Sequence, residues 1–132
     1  MEPALLPLER RIASPAERCF RAFCDLKQLR HWVPGVRRVK VVREREDGLP
    51  LEAIVDHGST LSYSMMYAYD LAARRVEWEP GVGRRDAVRG WAEFVDEGGG
   101  CLLRYAVVGN RDAAEAETVV EAFARWVEAG PR

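Results

Sequence analysis

The sequence AAEAETVVEAFARWVEA, residues 113–129, decides the fold, because it predicts one long amphipathic helix at the end of the chain. Its apolar residues recur at the three- and four-residue spacing of one helix face. They are Ala116, Val119, Val120, Phe123, Trp126 and Val127. With a rise of about 1.5 Å per residue, such a helix is about 25 Å long. Gly130-Pro131 then ends it.

The chain before this helix predicts β-strands joined by tight turns. Asp47-Gly48 and the glycine run 98–100 are typical of hairpin turns. Apolar and polar residues alternate between such turns, most clearly in the segment 60–70. Consecutive hairpins produce an antiparallel sheet, and the apolar face of that sheet has to be covered. We therefore expect the sheet to curve around the last helix.

The start of the chain predicts a short strand within residues 5–13, followed by two short helices within residues 14–33. Ser14-Pro15-Ala16-Glu17 is typical of a helix start in which Ser14 and Glu17 form a capping box. Val33-Pro34-Gly35 ends the second helix, because proline and glycine break helices. The sequence thus predicts an α+β fold in which a curved antiparallel sheet of about six to seven strands wraps the C-terminal helix.

Composition and charge narrow the classes of function. The 132 residues predict a single domain, 1–132. The 20 basic and 21 acidic residues nearly cancel, which argues against nucleic acid as a partner. No apolar run approaches the roughly 18 residues that predict a membrane-spanning helix, and the N-terminus lacks the pattern of a signal peptide. We therefore expect a cytoplasmic protein without an integral membrane segment.

The cysteines and histidines predict neither a disulfide framework nor a metal site. Cys19, Cys24 and Cys101 are odd in number and contain no C-x-x-C pair, and two histidines are too few for a histidine-rich site. The sequence also lacks a glycine-rich phosphate loop and the H-E-x-x-H and G-x-S-x-G motifs. We expect no metal and no cofactor, and no motif assigns a catalytic residue.

Several short segments resemble the SRPBCC superfamily, also called START-like or helix-grip, and within it the polyketide cyclase/dehydrase-like branch. The residues 12–20 resemble the opening strand of the family and the turn into its first helix. Asp25-Leu26 and the residues 32–36 resemble the second helix and its exit. Gly90-x-x-x-Phe94, a glycine turn and Leu103-x-Tyr105 resemble the last hairpin.

This resemblance implies a helix-grip fold with a cavity between the sheet and the last helix. Members of the superfamily include aromatic polyketide cyclases, carriers of lipids or coenzyme Q, plant hormone receptors and hydrolase-activating stress proteins, and they share no catalytic triad. The favoured hypothesis is a domain that binds a small hydrophobic or aromatic molecule, as a monomer or homodimer. The alternatives are a polyketide cyclase or dehydratase, and a coenzyme Q-, lipid- or partner-binding module.

Strand parity selects the candidate ligand-binding residues. Aromatic and thioether side chains on one face of a strand suit a planar apolar ligand, although they also suit ordinary core packing against the last helix. Residues two apart on a strand face the same way, so the bulky members of each strand are expected to share the face toward that helix. The predicted lining is Tyr63, Met65, Tyr67, Trp78, Phe94, Tyr105 and Phe123.

Two polar residues share the parity of this apolar face. Arg10 has the parity of Leu8 and Ile12 and is a candidate to bind a ligand carboxylate or enolate. The alternative is an edge position with its head group in solvent. His57 is a candidate acid or base, because its ordinary pKa lies near neutrality. The alternative for His57 is an exposed strand end beside Gly58.

The denatured protein is expected to present three free thiols and the purified protein no bound metal, because the three cysteines lack disulfide and ligand spacing. Thiol titration in denaturant and elemental analysis measure the two quantities. A thiol count below three, or stoichiometric zinc, would contradict this prediction.

Overall fold

The computed structural model of the protein describes residues 7–58, 61–81, 89–108 and 113–130. Within these ranges the elements are β1 (Leu8–Ile12), α1 (Ala16–Cys24), a 3₁₀ helix (Leu26–His31), β2 (Val36–Glu44), β3 (Pro50–His57), β4 (Leu61–Asp70), β5 (Arg75–Pro80), β6 (Arg89–Glu97), β7 (Gly100–Val108) and α2 (Ala113–Glu128). The strands form one antiparallel sheet. The predicted α+β architecture is therefore confirmed. Among the described residues, no helix is both long enough and apolar enough to cross a membrane.

The first strand of the sheet pairs with the last, and every other pairing joins strands that follow each other in sequence. The strand order is β1-β7-β6-β5-β4-β3-β2. β1 runs antiparallel to β7, with Leu8 opposite Tyr105 and Ile12 opposite Cys101. β1 and β2 are therefore the two edges of the sheet. The pairing of β2 with β3 is irregular at several points, and such bulges twist an edge strand.

The start of α1 does not use the predicted capping box. Pro15 occupies the N-cap position, and no side chain caps the helix. Ser14 therefore lies one residue too early, and its buried Oγ has no hydrogen-bond partner in the described part of the chain. Glu17 instead pairs with Arg21 at 2.8 Å and with Arg74 at 3.2 Å. The helix start was predicted correctly, but its capping contacts were wrong.

A cluster of aromatic rings fills the centre of the core, between the sheet and the two α-helices. Phe94 of β6 and Phe123 of α2 are 1% and 0% exposed. The ring of Phe23, on α1, lies 5.4 Å from the ring of Phe94 and 5.3 Å from that of Phe123. Edge-to-face ring pairs at such spacing add about 0.5–1.5 kcal/mol each beyond their area burial. These contacts hold both helices against the sheet.

The three cysteines are buried in the core. Burial raises the pKa of the Cys24 thiol to about 12. The thiolate is the reactive form of cysteine, so this side chain packs as a small apolar group near neutral pH.

Trp78 of β5 packs directly against the backbone of the neighbouring strand, because Gly90 has no side chain. The two residues are cross-strand partners of β5 and β6. A Cβ atom at Gly90 would lie 2.8 Å from Cζ2 of Trp78 and 2.5 Å from the carbonyl oxygen of Ala106. Neither distance is possible without displacement of the neighbour, because protein interiors are close-packed. The glycine therefore fixes the depth at which the indole ring lies.

Gly90→Ala is expected to lower the free energy of unfolding by roughly 1–3 kcal/mol, because the added methyl group overpacks the site. Urea unfolding followed by circular dichroism measures the change. The matched control is Gly100→Ala, whose Cβ would come no closer than 3.3 Å to the nearest atom, the Ile12 carbonyl oxygen, and which is expected to be less destabilising. Unchanged stability of Gly90→Ala would contradict the close approach of Trp78.

Candidate functional site

A half-open cavity lies between the concave face of the sheet, the short helices and α2. Its volume is about 100 Å³. Its wall consists of Phe23, Leu26, Leu29, Trp32, Val33, Val36, Val55, Tyr63, Met65, Tyr67, Trp78, Tyr105, Val107 and Val119. No charged side chain is among these residues. Because an unpaired charge is disfavoured in such surroundings, the wall favours a neutral, mainly apolar ligand.

The sheet supplies one wall of the cavity through strand parity. Tyr63, Met65 and Tyr67 alternate along β4 and face the cavity. Val55 of β3 is the cross-strand partner of Tyr63, and Trp78 of β5 is the partner of Tyr67. Regular pairing thus brings side chains of three neighbouring strands onto one surface.

The helices supply the opposite wall, which parity along the strands does not predict. Phe23 lies near the end of α1, and Leu26 and Leu29 lie on the 3₁₀ helix. Val119 comes from α2. The sequence predicted a short helix at this position, but not that the end of this helix covers a cavity.

The structure brings five of the residues predicted from the sequence to the cavity wall. They are Tyr63, Met65, Tyr67, Trp78 and Tyr105. Phe94 and Phe123 lie in the packed core instead. Phe23, which contacts both of these rings, lines the cavity wall. Contact of any of these residues with a ligand stays a prediction.

Arg10 does not line the cavity but joins β1 to α2. Its Nε and Nη2 atoms donate to the two carboxylate oxygens of Glu121, both at 3.0 Å. Its Nη1 atom lies 3.5 Å from Oε2 of Glu128, which also accepts a hydrogen bond from the Ala13 amide at 3.0 Å. Parity correctly placed Arg10 on the face toward the last helix. The carboxylates of that helix hold its guanidinium away from the cavity.

His57 lies beyond the end of the row of β4 side chains and does not line the cavity either. Its ring centre is 6.4 Å from that of Tyr63. The turn after the 3₁₀ helix covers it so closely that a Cβ atom at Gly35 would lie 2.5 Å from its Cε1 atom. Its Nε2 atom is buried and has no hydrogen-bond partner among the described residues. His57 is thus half-buried rather than an exposed strand end.

Tyr67 is one of three tyrosines on the cavity wall. Burial is the main cause that raises the pKa of its hydroxyl above the ordinary value, and the neighbouring Tyr63 adds to this. The side chain is half-buried and lines the cavity. The hydroxyl therefore stays neutral near physiological pH, where it can donate one hydrogen bond and accept others.

Comparison with solved structures identifies the fold. No protein-family model matches the sequence, and no curated protein matches it. A START superfamily protein from Mycobacterium smegmatis superposes with a TM-score of 0.67 over 94% of this chain and 94% of its own, at 15% identity. The chain has the START-like, helix-grip fold. The helix-grip fold that the sequence resemblance implied is thereby confirmed.

Two further solved structures share this fold. The di-domain ARO/CYC StfQ from the steffimycin biosynthetic pathway matches with a TM-score of 0.72 at 16% identity over 94% of this chain. This chain spans 44% of the length of StfQ. Norcoclaurine synthase from Thalictrum flavum, in complex with dopamine and hydroxybenzaldehyde, matches with a TM-score of 0.68 at 12% identity, covering 96% of this chain and 87% of its own.

The contact between Arg10 and Glu121 is expected to make stability depend on pH in the acid range. Hydrogen bonds from Arg10, and then from Arg125, hold the pKa of Glu121 at about 2, against an ordinary 4.5. A carboxylate with a lowered folded-state pKa stabilises the fold fully above the unfolded value and loses that contribution as pH falls toward the folded value. The window therefore runs from pH 4.5 down to about 2.

Glu121→Gln should accordingly be less stable than the wild type near neutral pH, and the difference should disappear toward the acid end of this window. Urea unfolding at a series of pH values measures it. The exposed Glu117 of the same helix, changed to Gln, is the matched control. A difference between wild type and Glu121→Gln that does not change with pH would argue against the carboxylate contact.

Proposed function

We propose that this protein binds a small, neutral, hydrophobic or aromatic molecule in the cavity between its sheet and helices. The observation that supports this most directly is the cavity wall, which is apolar and aromatic and carries tyrosine hydroxyls but no charged group among its described residues. Ligand sites combine such walls with a few polar groups that orient the ligand. Apolar surface that leaves water contributes about 25 cal/mol per Å², less the free energy lost on immobilising the ligand.

The ring content of the wall favours an aromatic ligand over an aliphatic chain. The ring of Phe23 contacts those of Trp32 and Trp78, at ring-centre distances of 5.0 Å and 5.6 Å. Rings at these distances leave faces and edges for a further ring to contact. The norcoclaurine synthase structure, with its two bound aromatic compounds, supports the same choice by analogy of fold.

A cyclase or dehydratase acting on a polyketide-like chain is the second candidate, and His57 is the observation that favours it. A buried imidazole nitrogen without a partner is available to accept a proton. The imidazole ring centre lies 6.4 Å from that of Tyr63, which lines the cavity, so the nitrogen is close to the cavity wall. This candidate predicts a product of altered mass from a bound ligand, and loss of that product in His57→Gln while binding is kept.

Tyr67→Phe is expected to weaken the binding of ligands that carry a hydroxyl or carbonyl group by roughly three- to tenfold, which is the value of one hydrogen bond. Ligands without such a group, toluene for example, should bind equally well to both proteins. Isothermal titration calorimetry, or NMR titration for weak ligands, measures the two affinities.

The matched control is Tyr69→Phe on the same strand, because the Tyr69 hydroxyl donates to the carbonyl oxygen of Pro50 rather than to the cavity. Tyr67→Glu, which places a carboxylate in the cavity, should abolish binding, whereas Arg43→Ala on the β2–β3 hairpin should not change it. Circular dichroism verifies that each variant is folded. If a panel of phenols, flavonoids, quinones and lipids fails to bind the wild type, the proposed function is wrong.

A further inference from the structure

The volume of the cavity limits the size of its occupant. An apolar cavity of about 150 Å³ holds one benzene molecule, and it takes roughly 300–1,000 Å³ to hold a drug-sized ligand. The cavity here, at about 100 Å³, belongs to the first class. One aromatic ring fits if its substituent lies toward the open side. Two fused rings exceed this volume, so the second ring has to displace the wall or remain outside the enclosed space.

The sheet wall resists such movement. Trp78 is held from behind by the backbone at Gly90, where even a Cβ atom would lie 2.8 Å from its ring. Met65 is 6% exposed and lies between its cross-strand neighbours Ala53 and Pro80. Displacing either side chain would open gaps in a close-packed region, and such gaps are destabilising.

The helical wall is also fixed by its own packing. The Phe23 ring on this wall belongs to the aromatic cluster of the core, with the rings of Phe94 and Phe123 5.4 Å and 5.3 Å away. Trp32 packs against Phe123 at 4.9 Å. A ligand that enlarges the cavity on this side would therefore have to displace packed rings of the core.

From this size and these walls we infer that the cavity selects a single-ring aromatic molecule bearing one neutral oxygen group, such as a phenol, and excludes fused-ring systems. The inference rests on the proposed ligand-binding function and narrows its ligand class. The rings of Phe23, Trp78 and Tyr105 contact the ligand ring, and the Tyr67 hydroxyl contacts its oxygen.

Titration of ¹⁵N-labelled protein with phenol, 2-naphthol and cyclohexanol tests the inference. In an open groove, 2-naphthol would bind most tightly, because it has the largest apolar surface. The cavity should reverse this order, so that the Kd of phenol is about tenfold lower than that of 2-naphthol, a difference that is readily measured. Cyclohexanol, of similar size but without a π face, should bind more weakly than phenol.

Two neighbouring methionines provide a matched pair of variants. Met65→Ala enlarges the cavity and is expected to increase the affinity for 2-naphthol about tenfold. Met66→Ala removes the same atoms from the opposite face of β4, where Met66 is paired with Glu52 and Glu79, and should leave the order of affinities unchanged. Leu29→Ala, at a half-buried position on the helical wall, enlarges the cavity from the other side if Met65→Ala does not fold.

The outcomes separate this inference from the proposed function. Wild-type binding of 2-naphthol as tight as that of phenol overturns the size limit and leaves the ligand-binding function intact. Equal affinities of Met65→Ala and Met66→Ala for 2-naphthol, with Leu29→Ala also unchanged, overturn the inference in the same way. If cyclohexanol binds as tightly as phenol, the inferred preference for an aromatic ring is overturned. Binding of none of the three, together with failure of the wider panel, overturns both.

Discussion

The enclosure of one phenyl ring, that of Phe123, determines how the helices and the sheet fit together. The ring has no exposed surface and is contacted by Phe23 of α1 and Phe94 of β6. These three side chains fix the separation of α2 from the sheet and place the end of α1 between them. The cavity is the space beside this cluster that the rings leave unfilled. Its position and its limited volume both follow from the cluster.

The part of the site that lies on strands could be predicted from the sequence, because alternation along a strand is a local property. This alternation places Tyr63, Met65 and Tyr67 on one face of β4 without reference to any tertiary contact. Whether a residue on that face fills the core or lines a cavity depends on where α1 crosses the sheet. That crossing rests on contacts between distant segments, so parity could not show that Phe94 fills the core or that Phe23 of α1 reaches the cavity wall.

The contacts of the polar residues were less predictable for the same reason. The partners of Arg10 are carboxylates more than a hundred residues later in the sequence. Ser14 matched a capping motif, but a shift of one residue placed Pro15 at the N-cap. For His57 an exposed strand end was the alternative to a role in the site, but the turn that contains Gly35 covers it. In each case a distant segment, or the exact start of a helix, decided the outcome.

The pairing of β1 with β7 has a consequence for the order in which the molecule can fold during its synthesis. The ribosome releases Leu8 and Arg10 early, but their partners Tyr105 and Glu121 emerge only after most of the sheet has been made. Hairpins β2–β3 and β3–β4 can form as soon as they leave the exit tunnel, because their partners are adjacent in sequence. The β1–β7 edge, on which α2 and the cavity depend, is therefore completed last. Until then, only the first helices or a chaperone can cover the apolar face of the growing sheet.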